Sequence, residues 1–378
     1  MRAGRAVRGP GLFLYPVGPG VSGHGGNIRQ LAARCGCRPA DILDFSANIN
    51  PLGPPESLRG VISRAVSDLV HYPDPDCTEL VRALARLHHL APDQILAGNG
   101  TSELLFALLR GLDISRVLLP VPSYVDYDTA CRRAGLEPLP VVLEESQGFR
   151  PDLAALQEIL MPGDLVILGQ PNNPTGVLTE RETLLELCRC RPDVTFLVDE
   201  AFAGFVAGYQ SLAGAADNLV VLCSLTKLYA IPGLRLGFVA ATARICTILG
   251  QELPPWSVNS LAQAAGIHCL DDSGYLARTR ELVAENRRQL SADLAAIPGL
   301  RVYDGAANFL LLRLERDDMD APALAGAMLR RHRIGIRSCE DYLGLDHRYF
   351  RVAVRSREEN RCLVAALADL LGAEGVVR

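Results

Sequence analysis

The segment Leu219-Val220-Val221-Leu222-Cys223-Ser224-Leu225-Thr226-Lys227 is the most informative part of the sequence, and Gly233-Leu234-Arg235-Leu236-Gly237 follows it closely. It begins as an unbroken apolar run, the pattern of a strand buried on both faces. Hydroxyl side chains and a lysine come directly after the run, and Arg235 stands eight residues beyond the lysine. A lysine at the end of a buried strand, beside hydroxyls and a second cation, is placed to bond an aldehyde carbon. The stretch therefore predicts a buried strand that carries the reactive amine of an enzyme.

Short apolar runs of the same kind alternate with helical stretches through the middle of the chain. They lie at 94–97, 117–119, 165–168, 195–198, 219–222 and 237–240. Near-continuous hydrophobic strands separated by crossovers are typical of a mostly parallel sheet covered by helices on both faces. We therefore predict an α/β protein whose large domain is built on such a sheet.

The pattern changes after about residue 270, where a charged helix runs through Glu281 and Arg288. Predicted strands follow near Val302 and at 309–312, and then further helices. Together with the start of the chain, this segment predicts a smaller α+β domain packed against the large one. The predicted division is an N-terminal arm that joins the small domain (1–47), a large domain (48–268) and a small C-terminal domain (269–378).

Composition and charge exclude several classes of partner. The 378 residues are 49% hydrophobic and 21% charged, as in ordinary globular proteins, and the net charge is −5. No basic field exists to attract nucleic acid or an anionic membrane, and no apolar run is long enough to span a bilayer. An anionic ligand must then be held by local arginines and helix ends.

The eleven cysteines are scattered, and the pairs at 35–37 and 188–190 are separated by one residue. Zinc and thioredoxin motifs need two intervening residues, so we predict no metal site and reduced thiols. A cytoplasmic protein is the expected setting. We interpret the Gly- and Pro-rich residues 1–21 as a loose extension, because prolines interrupt what would be the apolar core of a signal peptide.

Polar residues collect where four of the predicted strands end. They are Gly98-Asn99-Gly100-Thr101-Ser102, Asn172-Asn173, Asp199-Glu200 and the run 224–227. Ligands of open α/β sheets bind beyond the carboxyl ends of the strands. Glycines followed by a helix start at 98–102 favour a phosphate, although a tight turn also needs glycine. Arg235 and the hydroxyls of Ser224 and Thr226 would help to hold that phosphate.

Three further residues suit a flat, charged ring. Tyr124 follows a predicted strand and can stack on a heteroaromatic ring, with ordinary packing as the alternative. The prolines of Gln170-Pro171-Asn172-Asn173-Pro174-Thr175-Gly176 fix a turn that projects the Asn173 amide, with a plain proline turn as the alternative. Asp199 ends an apolar strand, where a carboxylate needs a partner: a protonated ring nitrogen, or an ordinary buried salt bridge.

Taken together, these residues resemble the aminotransferase-like fold of pyridoxal-phosphate enzymes (fold type I) over nearly the whole chain. The resemblance implies a mostly parallel seven-stranded sheet and the cofactor pyridoxal 5′-phosphate. It implies that Lys227 bonds the cofactor aldehyde, that Asp199 pairs with the pyridine nitrogen and that Asn173 contacts the ring hydroxyl. Tyr124 matches the ring-stacking position and joins Lys227 and Asp199 as the expected catalytic set. The implied phosphate ligands are Gly100, Thr101, Ser102, Ser224, Thr226 and Arg235.

The same resemblance makes two further predictions. In relatives a tyrosine at the Tyr72 position crosses from a second subunit to the cofactor phosphate, which implies a homodimer with shared active sites. Many aminotransferases also carry a tyrosine three residues after the aspartate, whereas this chain has Phe202. The ring oxygen would therefore lose one hydrogen-bond donor, which makes ordinary transamination less secure.

Motifs at the two ends of the chain narrow the resemblance. His24-Gly25-Gly26-Asn27, the run 44–51 and His71-Tyr72-Pro73-Asp74-Pro75 resemble the threonine-phosphate decarboxylases of cobalamin biosynthesis. Near the other end of the chain, the runs 336–339 and 351–356 fit the same group. A small phosphorylated amino acid needs one anion site for its carboxylate and one for its phosphate. The resemblance places Arg351 at the carboxylate. The remaining implied substrate ligands are His24, Gly25, Asn48, Asn173 and Arg337.

Two alternatives remain at this point. The histidinol-phosphate aminotransferases share the Tyr-Pro-Asp-Pro run but usually lack the His-Gly-Gly-Asn start and a second arginine at the position of Arg355. A non-catalytic module that binds pyridoxal phosphate is the other alternative. By itself, His24 in a glycine-rich arm would be read as a solvated side chain, and only the resemblance favours a substrate role.

Overall fold

The structure, a computed structural model, describes residues 24–372, so the extension predicted over 1–21 lies outside the described residues. The strands are β1 (Leu43–Asp44), β2 (Ile95–Gly98), β3 (Arg116–Val121), β4 (Pro138–Val142), β5 (Asp164–Gly169), β6 (Thr195–Asp199), β7 (Leu219–Ser224), β8 (Gly237–Ala240), β9 (Leu300–Val302), β10 (Phe309–Leu314), β11 (Ile334–Gly335), β12 (Arg337–Ser338) and β13 (Tyr349–Ala353). The helices are α1 (Ile28–Cys35), α2 (Leu58–Ala65), α3 (Thr78–His88), α4 (Thr101–Gly111), α5 (Val125–Arg133), α6 (Leu153–Ile159), α7 (Arg181–Cys190), α8 (Leu225–Leu228), α9 (Ala243–Gln251), α10 (Ser260–Asp271), α11 (Ser273–Ala295), α12 (Ala321–His332) and α13 (Arg357–Leu371).

The central element is a seven-stranded sheet with the strand order β2-β8-β7-β6-β5-β3-β4. Strand β8 runs antiparallel to its neighbours β2 and β7, and the other neighbouring pairs are parallel. The prediction of an α/β protein with a mostly parallel seven-stranded sheet is confirmed. The carboxyl ends of β5, β6 and β7 therefore lie side by side.

Helices cover both faces of this sheet, and alternate residues of each strand point to opposite faces. In β5, Val166 and Leu168 pack in the core beneath α3, α6, α7 and α10. Leu165 and Ile167 of the same strand pack in the core beneath α4, α5 and α9. This double burial explains why the strand sequences are continuous apolar runs rather than alternating ones.

Strand β4 is the one strand of this sheet that the sequence pattern did not predict. It contains Pro138 and Pro140, lies at the sheet edge and pairs only with β3. Proline lacks an N–H group and is tolerated at an edge, where one side of the strand makes no ladder. Leu139 and Val142 are exposed, so the strand also lacks a fully apolar pattern.

A second sheet, antiparallel and ordered β12-β13-β10-β9, follows α11. Helices α11, α12 and α13 pack their apolar residues against it in a separate core. Strand β1 pairs in parallel with β11, so the chain at 43–44 joins this second layer. The strands predicted near Val302 and at 309–312 are β9 and β10. The predicted domain boundaries stay predictions.

Two further properties of the described chain concern its setting. Between residues 24 and 372 no helix is both long and apolar enough to cross a membrane. All eleven cysteines carry free thiols: seven are buried, Cys35 and Cys37 near α1 are half-buried, and Cys190 and Cys362 are exposed. Within the same range no group of His, Cys, Asp or Glu is arranged to hold a metal ion.

Candidate active site

A cavity of about 200 Å³ lies at the carboxyl ends of β5 and β6, beside α8 and the second sheet. Its wall combines residues from the N-terminal segment, the large sheet and β12 and β13. The predicted site residues among its lining are His24, Gly25, Asn48, Thr101, Tyr124, Asn173, Asp199, Lys227, Arg337 and Arg351. The fold therefore brings together residues that are more than three hundred positions apart in the chain.

Lys227 lies in α8, directly after β7, and reaches the cavity. Its Nζ lies 3.3 Å from Ser224 Oγ, which in turn lies 2.8 Å from Thr226 Oγ1. Burial lowers the pKa of the Lys227 amine, Arg235 and Arg351 act in the same direction, and Asp199 opposes them. A lowered pKa makes the neutral, nucleophilic amine more available. Lys227 is also the one lysine in the 378-residue chain.

Asp199 ends β6 and presents its carboxylate to the cavity. Its Oδ2 accepts a hydrogen bond of 2.7 Å from the Tyr127 hydroxyl, and its Oδ1 accepts one of 2.9 Å from the Ala201 amide. Burial raises the pKa of Asp199, while Lys227 and these two donors oppose the rise. A buried carboxylate that is held in place and faces a cavity suits a cationic partner such as a protonated ring nitrogen.

Tyr124 and Asn173 lie on the cavity wall near Asp199. The Tyr124 ring meets the Tyr127 ring edge-on, with centroids 5.5 Å apart, and its hydroxyl donates a 2.7 Å hydrogen bond to Asp126. Asn173 follows β5, and its Oδ1 accepts a hydrogen bond of 2.6 Å from Arg351 Nη1. Both side chains are thus fixed by neighbours before any ligand binds.

An anion-binding arrangement lies where α4 begins. Gly100 has φ +80° and immediately precedes Thr101, the first residue of α4. A Cβ atom at Gly100 would lie 2.5 Å from Arg235 Nη2, so any other residue would displace the arginine. The free amides of a helix start, with Ser102 in the first turn, and a guanidinium beside them are well suited to a phosphate group.

These residues fit pyridoxal 5′-phosphate. An amine of lowered pKa can meet the aldehyde, the fixed Asp199 carboxylate can meet the ring nitrogen, and the start of α4 with Arg235 can meet the phosphate. Phe202 lines the same cavity with its ring centroid 5.6 Å from Lys227 Nζ, so no hydroxyl comes from that position.

Arg351, in β13, lines the cavity and is 5% exposed. Its Nη1 bonds to Asn173 Oδ1, and its Nη2 donates a 2.8 Å hydrogen bond to the backbone carbonyl of Ser46. Its guanidinium also lies 5.4 Å from the Phe309 ring centroid. All of these partners are neutral, so the positive charge of Arg351 is oriented but not compensated by them.

Arg337 and His24 form a second cationic region on the cavity wall. Arg337 Nη2 donates to both carboxylate oxygens of Asp341, at 2.9 and 2.7 Å. His24 Nε2 lies 3.2 Å from Asp126 Oδ1, and this hydrogen bond raises the pKa of His24 against the effect of partial burial. Asn48 lines the same cavity, and its buried Oδ1 has no hydrogen-bond partner among the described residues.

Tyr72 is a predicted site residue that lies at the exposed surface and does not line this cavity. It is 80% exposed, and its ring stacks on Trp256 with centroids 4.7 Å apart. Val70, nearby in the chain, is also strongly exposed. Within one chain Tyr72 therefore contributes nothing to the cavity.

Several cavity residues escaped the sequence reasoning: Ser46, Tyr127 and Tyr342 line the wall, and Asp126 supports it. Tyr127 could have been found from its spacing, because it stands three residues after Tyr124 and shares its helix face. Tyr342 reaches the cavity from a loop after β12, and its hydroxyl lies 3.4 Å from Asn173 Oδ1. No local pattern marks that residue.

Comparison with known proteins agrees with this geometry. The family model described as aminotransferase class I and II matches residues 40–367. The chain is 41% identical to the threonine-phosphate decarboxylase of Salmonella typhimurium over 360 residues, covering 93% of this chain and 97% of that protein. The crystal structure of L-threonine-O-3-phosphate decarboxylase from Porphyromonas gingivalis superposes with a TM-score of 0.79 at 27% identity, covering 88% of this chain and 100% of that one.

A histidinol-phosphate aminotransferase from Clostridium acetobutylicum is equally similar in fold, with a TM-score of 0.82 at 29% identity, covering 88% of this chain and 99% of that one. The family model spans most of the chain, including the segments that carry Lys227, Asp199 and Arg351. The chain belongs to the aminotransferase class I and II family.

Proposed function

We propose that the protein is a pyridoxal-phosphate-dependent carboxy-lyase that acts in cobalamin biosynthesis. Its substrate is O-phospho-L-threonine, and its products are carbon dioxide and (R)-1-amino-2-propanol O-2-phosphate. One observation carries the proposal: two separate cationic regions, Arg351 and the pair Arg337 and His24, face the cavity that also contains Lys227. The similarity to the Salmonella typhimurium threonine-phosphate decarboxylase supports it over most of the chain.

Each end of the substrate has a matching group in the cavity. The guanidinium of Arg351 can bind a carboxylate through two parallel hydrogen bonds. Arg337, protonated His24, the Gly25 amide and Asn48 would together bind the phosphate, and all four residues line the cavity. A side chain that carries no anion would leave these cations without a counter-charge from the ligand, so the site favours phosphorylated amino acids.

Orientation decides which bond of the substrate breaks. Pyridoxal phosphate, when bound, supplies an electron sink for the Cα bond that lies perpendicular to its ring. Arg351 and the phosphate ligands hold the two ends of the substrate and so limit rotation about the amine nitrogen. We propose that these contacts hold the bond between Cα and the carboxylate perpendicular to the cofactor ring. Lys227, which lines the cavity, would deliver from its protonated amine the proton that replaces carbon dioxide at Cα, and solvent would then reprotonate the amine.

A direct assay separates this function from amino transfer. The purified holoenzyme is incubated with O-phospho-L-threonine, with and without a 2-oxo acid, and carbon dioxide and amino products are measured. We expect carbon dioxide release that does not depend on the oxo acid. Amino transfer to the oxo acid without carbon dioxide would instead favour a histidinol-phosphate-type aminotransferase. Rates with O-phospho-L-serine would show the contribution of the methyl group, which should change kcat/KM by no more than about 200-fold.

The single lysine makes the cofactor proposal unusually easy to test. Borohydride reduction of the holoenzyme should attach one pyridoxyl group per chain, at Lys227, because no other lysine can react. Lys227→Arg is the matched control, since arginine keeps the cation but cannot bond the aldehyde. A lysine-free variant that kept the visible absorbance of the bound cofactor would overturn the assignment.

We further infer a homodimer with shared active sites. Tyr72 and Trp256 form an exposed aromatic pair, with exposed Val70 close by in the sequence, a surface that suits burial against a second copy. Tyr72 would then reach the partner's cofactor phosphate. Mixing a Tyr72→Ala protein with a Lys227→Ala protein tests this, because a mixed dimer contains one site with both native residues. Activity that never exceeds the sum of the two variants, despite subunit exchange, would contradict shared sites.

The cytoplasmic location belongs to the same proposal. Free thiols at all eleven cysteines suit a reducing compartment. Cell fractionation with a cytoplasmic and an extracytoplasmic marker protein would test it, and recovery with the extracytoplasmic marker would contradict it.

A further inference from the structure

Ser46 lies between the two cationic regions and is hydrogen-bonded on three sides. Its Oγ accepts a 2.9 Å hydrogen bond from the Gly26 amide. Gly26 belongs to residues 24–35, which carry His24 and are called the arm from here on. The Ser46 carbonyl oxygen accepts the 2.8 Å hydrogen bond from Arg351 Nη2. Its own amide and hydroxyl both donate to Asp44 Oδ1, at 2.8 and 2.5 Å. One buried residue thus contacts the arm, the carboxylate-binding arginine and a fixed acceptor.

The arm packs directly on the carbonyl that Arg351 uses. A Cβ atom at Gly25 would lie 2.0 Å from Ser46 O and 3.1 Å from Ser46 Cβ. Only glycine therefore lets the arm approach so closely. His24 is the next residue in this arm, so its distance from Arg351 depends on this contact.

Arg355, four residues after Arg351, supports the backbone of Asp44. Arg355 Nη1 donates a 3.1 Å hydrogen bond to the Asp44 carbonyl, and its Nη2 pairs with Glu359 Oε1 at 2.6 Å. Its guanidinium lies 5.7 Å from the Phe45 ring centroid. Arg355 is not part of the cavity wall. It therefore supports the segment 44–46 and does not contact the cavity.

We propose that Ser46, oriented by Asp44, is a positioning residue that sets the separation between the phosphate-binding arm and the carboxylate-binding Arg351. Arg355 acts through the Asp44 backbone in the same network and is not a substrate ligand. The inference rests on the proposed function, because it concerns the substrate class that the two cationic regions accept. A fixed separation selects substrates in which the carboxylate and the phosphate are a defined distance apart.

The network makes a specific prediction for Ser46→Ala, which removes the hydroxyl but keeps the carbonyl that Arg351 needs. The KM for O-phospho-L-threonine should rise about 3- to 10-fold, because the hydroxyl loses its hydrogen bonds to Gly26 and Asp44, with kcat changed less than about twofold. Asp44→Asn keeps an oxygen acceptor and should change KM less than Asp44→Ala. Ser211→Ala is the matched control, because it removes a 2.6 Å hydrogen bond to Glu200 outside the cavity wall.

A second readout does not depend on turnover. Hydrogen exchange of the backbone amides in residues 24–35 of the holoenzyme should become at least about threefold faster in Ser46→Ala, because the arm loses its contact at Gly26. Exchange in this segment should stay unchanged in the Ser211→Ala control. Unchanged exchange in Ser46→Ala would overturn the proposal. If the native enzyme releases no carbon dioxide, the proposed function fails, yet this exchange measurement still decides whether Ser46 holds the arm.

A double variant tests whether Ser46 acts through the arm. In a His24→Gln background, Ser46→Ala should raise KM by less than about twofold, because the ligand that it positions is already lost. Fully additive increases would show that Ser46 does not act through His24 and would overturn the coupling. A Ser46→Ala protein whose kcat falls while its KM stays constant would do the same.

Discussion

The two arginines predicted to bind substrate differ in the partners that they have in this structure. Arg351 is hydrogen-bonded to an amide oxygen and a backbone carbonyl, whereas Arg337 forms an ion pair in which its Nη2 donates to both carboxylate oxygens of Asp341. His24, beside Arg337, is likewise paired with Asp126. The end of the cavity proposed to bind the substrate carboxylate therefore keeps an uncompensated positive charge, while the end proposed to bind the phosphate is balanced by two carboxylates.

Because their partners differ, the two arginines are expected to recognise their anions in different ways. A buried cation held by neutral acceptors costs free energy that an incoming carboxylate repays on binding. The phosphate end has already paired its charges, so a ligand there must compete with Asp341 and Asp126. A phosphate, with up to two charges and three acceptor oxygens, competes better than a single carboxylate. The two ends thus favour different anions although both use arginine.

The largest effect is expected at the uncompensated end. Arg351→Gln should reduce kcat/KM by about 10²- to 10³-fold, because the substrate carboxylate would lose its buried charged partner. Arg348→Gln is the matched control, since Arg348 pairs with Asp346 just before the same strand and lies off the cavity wall. Steady-state kinetics with O-phospho-L-threonine measure both. A loss below about tenfold for Arg351→Gln would show that this end does not depend on the charge.

A smaller loss is expected at the balanced end. Arg337→Gln should raise KM by about 10- to 100-fold, because His24, the Gly25 amide and Asn48 still share the phosphate. The kcat should change less than the KM, since the carboxylate grip of Arg351 stays intact. A loss as large as that of Arg351→Gln, expressed mainly in kcat, would remove the distinction between the two ends.

The partner carboxylate can be changed directly. Asp341→Asn removes the negative charge that competes for Arg337 and keeps a similar shape. We expect inorganic phosphate to bind about two- to fivefold more tightly, a modest gain because the Asp341 side chain is partly exposed to solvent. Isothermal titration calorimetry of the holoenzyme measures this affinity. Weaker phosphate binding would show that Asp341 mainly orients the arginine.

The smallest effect is a change in pH dependence at His24. Asp126 raises the pKa of His24 above 6.5, Asp341 acts in the same direction, and burial and Arg337 oppose them. Protonated His24 should hold the phosphate at low pH, and the affinity should fall as pH rises through the raised pKa. Asp126→Asn should move this fall to lower pH.

A matched variant separates that charge effect from the second contact of Asp126. Tyr124→Phe removes the hydroxyl that donates to Asp126 but leaves the carboxylate beside His24. In Tyr124→Phe the fall in affinity, measured as a rise of KM with pH, should therefore stay at or above the native pH. If Asp126→Asn leaves the fall in the native position, His24 is not the group that titrates.

The sequence predicted the sheet well because its strands are buried on both faces and read as continuous apolar runs. It also predicted the positions of Lys227 and Asp199, because a polar residue directly after a buried strand lies at the end of that strand, where ligands of such sheets bind. It did not predict β4, whose prolines and exposure hide an edge strand. It missed Tyr127 and Tyr342 because their roles depend on contacts with Asp199 and Asn173, far away in the chain.

The fold class, the position of the single lysine after a buried strand and the residue types that pyridoxal phosphate needs could all be predicted from the amino-acid sequence. These features depend on local pattern, which hydrophobic period and strand ends express directly. The tertiary structure alone decided how the charges are paired. Arg337 is paired with the Asp341 carboxylate, whereas Arg351 has only neutral partners. Ser46 joins the arm to Arg351 through hydrogen bonds between segments that are far apart in the sequence.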